Sequence, residues 1–239
     1  MAAQSGAGKL RVLCMPGFRT NVKIMQDQTR GLRRAMGSHA EFVFLNGPIK
    51  ARGPSDSSIE TLYANHKPFY EWGRSQTERE DILDASTQKF VAGDSEDFDM
   101  MVEYMDDQLP KLGPFDAVVG FSQGAQMMTA LSMWYLRKSN TRWWKCCVSV
   151  CGPHVCGAVL RPLFENPDGT PRLVPFPSIH IIGKKDTWYS ECLSMVDMYE
   201  SRERFVFEHG MGHRFPSERR TQIYDDVARL IRQQCQHSD

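Results

Sequence analysis

Three residue types that can work together as a nucleophile, a base and an orienting acid occur at separate points of the sequence. Ser122 stands between two glycines in Gly120–Gly124, a Gly-x-Ser-x-Gly pattern that is typical of a sharp strand-to-helix turn. A serine hydroxyl becomes a good nucleophile only when a base takes its proton. His213 is a candidate for this base, and Asp186 for the acid that would fix its tautomer and stabilise its protonated form.

The sequence leaves alternatives for the base and the acid. His209 lies closer than His213 to the apolar run that precedes both histidines, so it is the competing base. Asp168 falls in a proline-rich segment and Asp197 in a helical pattern. Both aspartates are weaker candidates than Asp186, which directly follows an apolar run.

The elements that must position these residues alternate along the chain. Short apolar runs predict strands at 9–15, 41–47, 115–121, 145–152, 178–183 and 204–210. Helical periodicity recurs at 21–36, at 94–109, after Ser122, near 189–200 and at 217–235. This alternation predicts βαβ units, a mostly parallel sheet and helices on both faces. No internal repeat or linker divides the chain, which predicts a single domain over 1–239.

The three chemical residues follow different predicted strands, in the chain order Ser122, Asp186, His213. This is the order expected on an α/β-hydrolase sheet, where the carboxyl ends of parallel strands share one edge. The same chemistry needs two N–H donors for the developing oxyanion. The backbone N–H of Gln123 is one candidate, and that of Phe18, in the loop after the first strand, is the other.

Two segments interrupt the alternation, at 48–93 and 153–177. Both leave strand ends, and long insertions there are often covers or binding loops. Residues 48–93 are therefore predicted to be a lid or substrate-pocket insertion within the domain. Their aromatic residues, Tyr70 and Trp72 among them, could line an acyl pocket or could be ordinary core. The apolar content of the two segments favours an apolar acyl group over a sugar or a charged peptide.

Composition excludes several other classes of protein. The chain has 239 residues, with 29 Lys plus Arg against 29 Asp plus Glu, and a zero net charge argues against a nucleic-acid partner. No apolar run approaches the roughly 18 residues of a membrane span. The N-terminal segment lacks the apolar core of a signal peptide, and the seven scattered cysteines do not form a secreted disulfide framework. These features predict a cytoplasmic protein of unknown oligomeric state.

A zinc site is the alternative use of the cysteines Cys146, Cys147, Cys151 and Cys156, with His154 nearby. Adjacent residues of a strand point to opposite faces, so Cys146 and Cys147 are poorly placed to share a metal ion. The cysteines also lack the usual Cys-x-x-Cys spacing. We expect them to pack as small hydrophobic residues and predict no metal and no cofactor.

Five motifs together resemble the FSH family of serine hydrolases over most of the chain: "LCMPGFRTN", "VFLNGP", "GPFDAVVGFSQGAQ", "HIIGKKDTW" and "HGMGHRFP". The resemblance implies an α/β-hydrolase fold, esterase or thioesterase activity and no cofactor. It implies catalytic roles for Ser122, Asp186 and His213, and a tryptophan at Trp72. One departure is Pro16, because the family usually has histidine at this position of the loop.

The resulting hypothesis is a serine hydrolase that cleaves a carboxylic ester or thioester of an apolar acyl group through an acyl-enzyme. Two other functions remain open. One is a non-catalytic small-molecule receptor on the same scaffold, because fold alone does not determine function. The other is a serine peptidase, which would need subsites on both sides of the cleaved bond.

Overall fold

The computed structural model describes residues 8–74 and 95–236. Its strands are β1 (Leu10–Met15), β2 (Ala40–Phe44), β3 (Ile49–Lys50), β4 (Tyr70–Glu71), β5 (Ala117–Phe121), β6 (Cys146–Val150), β7 (Ser178–Gly183) and β8 (Arg204–His209). Its α-helices are α1 (Val22–Gln28), α2 (Arg30–Met36), α3 (Ser57–Leu62), α4 (Ser95–Leu112), α5 (Gln123–Ser139), α6 (Arg161–Phe164), α7 (Tyr189–Asp197) and α8 (Thr221–Gln236).

The main sheet has six strands in the order β2-β1-β5-β6-β7-β8, and every neighbouring pair is parallel. Its two faces are both covered, as the alternation along β1 shows. Leu13 and Met15 pack in one core cluster with α4, α5 and α7, while Val12 and Cys14 pack in the opposite cluster with α1, α2 and α8. The predicted α/β fold with helices on both faces is therefore confirmed.

The strand order reverses between β1 and β5, because the chain moves outward to β2 from β1 and outward to β8 from β5. In open parallel sheets, the crevice beyond the carboxyl ends at such a point is the usual ligand site. Pro16 directly follows β1 and Ser122 directly follows β5. The fold thus brings the glycine-flanked serine and the loop with Phe18 to the same crevice.

Two local differences from the sequence prediction have physical causes. The predicted helix over 21–36 is interrupted at Thr29, whose hydroxyl donates to the Met25 carbonyl oxygen (2.7 Å), a back-bond that often bends helices. The antiparallel pair β3–β4 was not predicted, since strands of two residues carry no readable periodicity. The Tyr70 N–H donates to the Thr20 carbonyl oxygen (2.7 Å), so this pair is attached to the loop after β1.

The two insertions have structure of their own where they are described. Residues 48–74 contain β3, α3 and β4, and the rest of the predicted insertion, 75–93, lies outside the described residues. Residues 153–177 contain the short helix α6. Across the described ranges, no helix is both long enough and apolar enough to cross a membrane.

Helices α2 and α8 are in close contact at Gly31. A Cβ atom placed on Gly31 would lie 2.3 Å from the ring of Tyr224, which is buried and whose hydroxyl donates to the Pro216 carbonyl oxygen. We expect Gly31→Ala to lower the free energy of unfolding by about 1–3 kcal/mol through overpacking, despite the better helix propensity of alanine. Urea denaturation of the variant beside Gly210→Ala measures this, since a Cβ at Gly210 meets nothing within 4 Å. Equal midpoints for the two variants would contradict the tight contact.

Candidate functional site

Ser122 has a backbone conformation that residues with a side chain rarely adopt. Its φ is 52° and its ψ is −118°, so the serine lies in a strained turn directly after β5. A Cβ at Gly120 would lie 2.5 Å from the Ala125 Cα, and a Cβ at Gly124 would lie 2.2 Å from the Met15 carbonyl oxygen. The two glycines of the sequence motif are therefore required by close backbone approach.

A continuous hydrogen-bonded chain runs from Ser122 through His213 to Asp186. Ser122 Oγ and His213 Nε2 are 2.8 Å apart, and His213 Nδ1 and Asp186 Oδ2 are 2.7 Å apart. Distances of this size are those required between a nucleophile, its base and the group that orients the base. The structure thus brings together the three side chains that lie up to 91 residues apart in the sequence.

The alternative residues are engaged elsewhere. His209 Nδ1 accepts a hydrogen bond from the Met211 N–H (3.3 Å), so this histidine supports the turn before His213. Asp168 accepts hydrogen bonds from Thr170 in an exposed turn. Asp197 pairs with Arg204 and has 79% of its side chain exposed.

Asp186 is buried in a way that keeps it ionised. Its side chain has no exposed surface, and Oδ1 accepts a hydrogen bond from the Trp188 N–H (2.9 Å). Burial acts to raise the pKa of the Asp186 carboxyl, but the hydrogen bond and charge of His213, with Trp188 and the Cys151 thiol, leave this pKa below its ordinary value. At neutral pH the carboxylate can therefore act as the acceptor for His213 Nδ1–H.

The imidazole of His213 is held from its other side by aromatic packing. The Phe121 ring centroid is 5.1 Å from that of His213 and 5.5 Å from that of Phe215. About a third of the His213 side chain, 32%, stays exposed. The ring is thus fixed by β5 and its own loop but remains open toward the crevice.

The two predicted oxyanion donors belong to segments that touch Ser122. A Cβ at Gly17 would lie 3.4 Å from the Ser122 Cβ, so the loop containing Phe18 passes beside the serine. Gln123 is the first residue of α5, and the first N–H groups of a helix have no acceptor within the helix. The structure therefore places both segments around the serine.

Trp72 lies under the loop after β1, with only 1% of its surface exposed. Its indole Nε1–H donates to the Pro16 carbonyl oxygen (2.8 Å), and its backbone N–H donates to Gln123 Oε1 (3.0 Å). The Gln123 side chain also donates to the Gly73 carbonyl oxygen (2.7 Å). Residues 72–73 thus connect the loop after β1 to the start of α5. Tyr70 is partly buried in β4, just before this connection.

One group in the described part of the chain has the composition of a metal site. Ligand atoms of Cys151, Asp186 and His213 lie within 4.8 Å of one another. The 2.7 Å between His213 Nδ1 and Asp186 Oδ2 is shorter than the roughly 3.3 Å between two ligands of a tetrahedral zinc ion with bonds near 2.0 Å. This spacing fits a hydrogen-bonded group. Cys146 and Cys147 lie in opposite core clusters, as the strand alternation predicts.

A cavity of about 920 Å³ lies between the segment after β6 and helix α7. Its apolar side chains include Val155, Leu160, Phe164, Leu173 and Met198. The predicted substrate segment 153–177 therefore does border a cavity of ligand size.

Sequence reasoning missed two contributors to this region. The sequence analysis uses Gln123 only for its backbone N–H, and Cys151 only as a small buried hydrophobic residue or, as the alternative, a zinc ligand. Cys151 directly follows β6, at the same sheet edge as the other loops. That position was the one available signal, because the contacts themselves join residues far apart in the chain.

The sheet, the turn at Ser122 and the loops at its carboxyl edge define an α/β-hydrolase. The chain belongs to the family described as "Serine hydrolase (FSH1)", whose model matches residues 5–223.

Similar proteins agree with this class. Esterase OVCA2 of Bos taurus is 28% identical, with 91% of this chain and 92% of that protein covered. Rhodanese-like domain-containing protein 6 of Arabidopsis thaliana is 27% identical over 88% of this chain, but the match spans only 37% of that longer protein. The crystal structure of Zea mays acyl-protein thioesterase 2 superposes with a TM-score of 0.60 at 14% identity, covering 96% of this chain and 97% of that one, which shows the shared fold. The family model and the similar esterases together identify the protein as a serine hydrolase of the esterase type.

Replacing Trp72 by phenylalanine tests the buried bond to Pro16. The variant keeps an aromatic ring but leaves the Pro16 carbonyl oxygen without this donor, which should lower the free energy of unfolding by about 1–3 kcal/mol. Trp143→Phe is the matched control, since the Trp143 Nε1 has no partner among the described residues. Urea denaturation of both variants measures the difference, and equal losses would mean that the indole hydrogen bond contributes nothing.

Proposed function

We propose that the protein hydrolyses a carboxylic ester or thioester of an apolar acyl group through an acyl-enzyme intermediate. Ser122 is the nucleophile, His213 the general base and acid, and Asp186 the group that orients His213. The observation that supports this most directly is the unbroken chain of short contacts, 2.8 Å and 2.7 Å, through the three side chains. Family membership and esterase relatives supply the bond type.

Each step of the proposed reaction is accompanied by the transfer of one proton to or from His213. Ser122 Oγ attacks the carbonyl carbon as its proton passes to His213 Nε2, and the charged imidazolium is stabilised by the Asp186 carboxylate. His213 then gives this proton to the departing alkoxide or thiolate, which leaves the acyl group on Ser122. Water attacks the acyl-enzyme with His213 Nε2 again as base, and the proton returns to Ser122 as the carboxylic acid leaves.

The oxyanion of both tetrahedral intermediates is held, in this mechanism, by the backbone N–H groups of Phe18 and Gln123. Gly17 lies against Ser122, and Gln123 begins the helix that follows it, which supports this assignment. Trp72 acts here through position: its bonds to Pro16 and Gln123 link the segments that carry the two donors. Pro16 therefore contributes its carbonyl oxygen as an anchor at the position where histidine was expected.

The acyl group is assigned to the cavity beside α7. Cys151 lies near the Asp186–His213 pair. His154, which lines the cavity, follows Cys151 by three residues, so the chain between them spans at most about 11 Å. Gln126, one turn into α5, donates to the His154 carbonyl oxygen (2.9 Å) and joins the wall to the helix that follows Ser122. The apolar side chains of the lining would take a hydrocarbon chain; the cavity is also bordered by the charged residues Arg161, Glu165, Arg172 and Asp197. Tyr70 remains a proposed contact on the opposite side of the crevice.

Labelling with a fluorophosphonate probe tests the nucleophile. We expect the wild-type protein to label, Ser122→Ala to lose labelling, and Asp186→Asn to label about 10³–10⁴-fold more slowly because the histidine tautomer is no longer fixed. His209→Asn is the control that should keep labelling, because asparagine Oδ1 can still accept the Met211 N–H while the competing imidazole is removed. A folded wild type that does not label would favour the receptor alternative.

A tryptophan at Ala158 tests the assignment of the acyl cavity. Ala158 is an exposed residue on the cavity wall, and its neighbour Val159 is exposed but does not line the cavity. A tryptophan at this position should exclude part of a long acyl chain from the cavity. Excluding two of its methylene groups costs about 1.6 kcal/mol, so Ala158→Trp should lower kcat/KM for p-nitrophenyl decanoate by roughly tenfold or more. The same variant should leave kcat/KM for p-nitrophenyl acetate unchanged. Val159→Trp should change neither ester. An unaltered chain-length profile in Ala158→Trp would place the acyl group elsewhere.

A further inference from the structure

Cys151 has a backbone conformation that its side chain does not favour. Its φ is 47°, in the left-handed region where glycine is the ordinary choice. The residue directly follows β6, and its side chain is buried. A strained residue at the carboxyl edge of the sheet is a reason to look for a role of its side chain.

The sulfur of Cys151 lies where two loops meet: the loop after β7 that carries Asp186 (the acid loop, 184–188) and the loop after β8 that carries His213 (the histidine loop, 210–220). It is within 4.8 Å of the ligand atoms of Asp186 and His213. The thiol donates to the Arg214 carbonyl oxygen at 3.5 Å, and its sulfur lies beside the Asp186 carboxylate. Gly183 is the last residue of β7, directly before the acid loop, and Arg214 follows His213, so one side chain lies against both loops.

The same surroundings keep the thiol a donor. Burial, followed by the charge of Asp186, raises the pKa of the Cys151 thiol to about 12. A protonated, buried thiol is not a nucleophile. A hydrogen-bonding role toward an ionised carboxylate is consistent with this state, because bonds to charged acceptors are the stronger ones.

We propose that Cys151 is a positioning residue: its side chain, which donates to the Arg214 carbonyl oxygen and lies against the Asp186 carboxylate, holds the acid loop and the histidine loop at the separation that Ser122 requires. The inference rests on the proposed role of Ser122, His213 and Asp186. The thiol, at the end of β6, bridges the acid loop and the histidine loop, while Phe121, at the end of β5, packs against the imidazole of His213. Without this bridge, His213 would sample orientations in which Nε2 no longer faces Ser122.

Three variants separate positioning from packing. Cys151→Ser keeps a donor of similar size, Cys151→Ala removes the donor, and Cys151→Gly removes it while relieving the positive φ. With p-nitrophenyl butyrate we expect the serine variant to keep kcat within about threefold. The alanine and glycine variants should lose at least about tenfold in kcat, with KM changed less than twofold, because small displacements of a base are costly.

Stability and spectroscopy make the test independent of turnover. Thermal unfolding identifies any variant whose loss of kcat is a folding defect, and Cys151→Gly should unfold near the wild-type temperature. The low-field proton resonance of the His213 Nδ1–H···Asp186 bond should keep its position in Cys151→Ser and shift or broaden in the other two variants. Unchanged kcat and resonance in Cys151→Ala, or equal losses in the serine and alanine variants, would overturn the proposal. Failure of wild-type labelling would instead contradict the role of Ser122, and the resonance would still test the thiol.

Discussion

The strained turn at Ser122 is the constraint on which the rest of the site depends. A serine with a positive φ angle between a strand and a helix is stable only if its surroundings hold this conformation, and here they do so through backbone atoms. The Ser122 N–H donates to the Val150 carbonyl oxygen of the next strand (3.0 Å), and Gly124 lies against the Met15 and Pro16 carbonyl groups. Ser122 is thus fixed by β1, β5 and β6 together, and any loop that contacts it must reach the same edge of the sheet.

The loops that reach this edge are packed directly against one another. Gly183 and Gly212 approach so closely that a Cβ at Gly183 would lie 2.3 Å from the Gly212 carbonyl oxygen. Because of this contact, the backbone of the acid loop packs directly against the backbone of the histidine loop, without intervening side chains. On the other side of Ser122, Trp72 and Gln123 join the loop after β1 to helix α5. Short-range backbone contact therefore accounts for a geometry that spans most of the chain.

The sequence allowed prediction of the parts of the fold and site that leave a local signal. Buried strands are continuous apolar runs, and each candidate residue lies in the loop just after one of them, so the order Ser122, Asp186, His213 could be read along the chain. The sequence singles out Trp72 as a candidate for the acyl pocket or the core, but its hydrogen bond could not be predicted, because the acceptor, Pro16, lies 56 residues away. The contacts of the Cys151 thiol could not be predicted for the same reason, although its position directly after β6 could be read from the sequence. Contacts between distant residues have no periodicity, and only the folded chain reveals them.

On the proposed mechanism, the two sides of Ser122 carry different tasks. The side toward β1 supplies the oxyanion donors and their supports, whereas the side toward β7 and β8 supplies the base and the acid. The acyl cavity lies beyond β6, in the segment 153–177 and helix α7, and does not include the residues that handle protons. Because the catalytic groups are fixed by the sheet edge, the lining of this cavity can change in size while the distances between Ser122, His213 and Asp186 stay the same. Substrate choice and chemistry are therefore separable in this fold, and their physical link is the short stretch from Cys151 to His154.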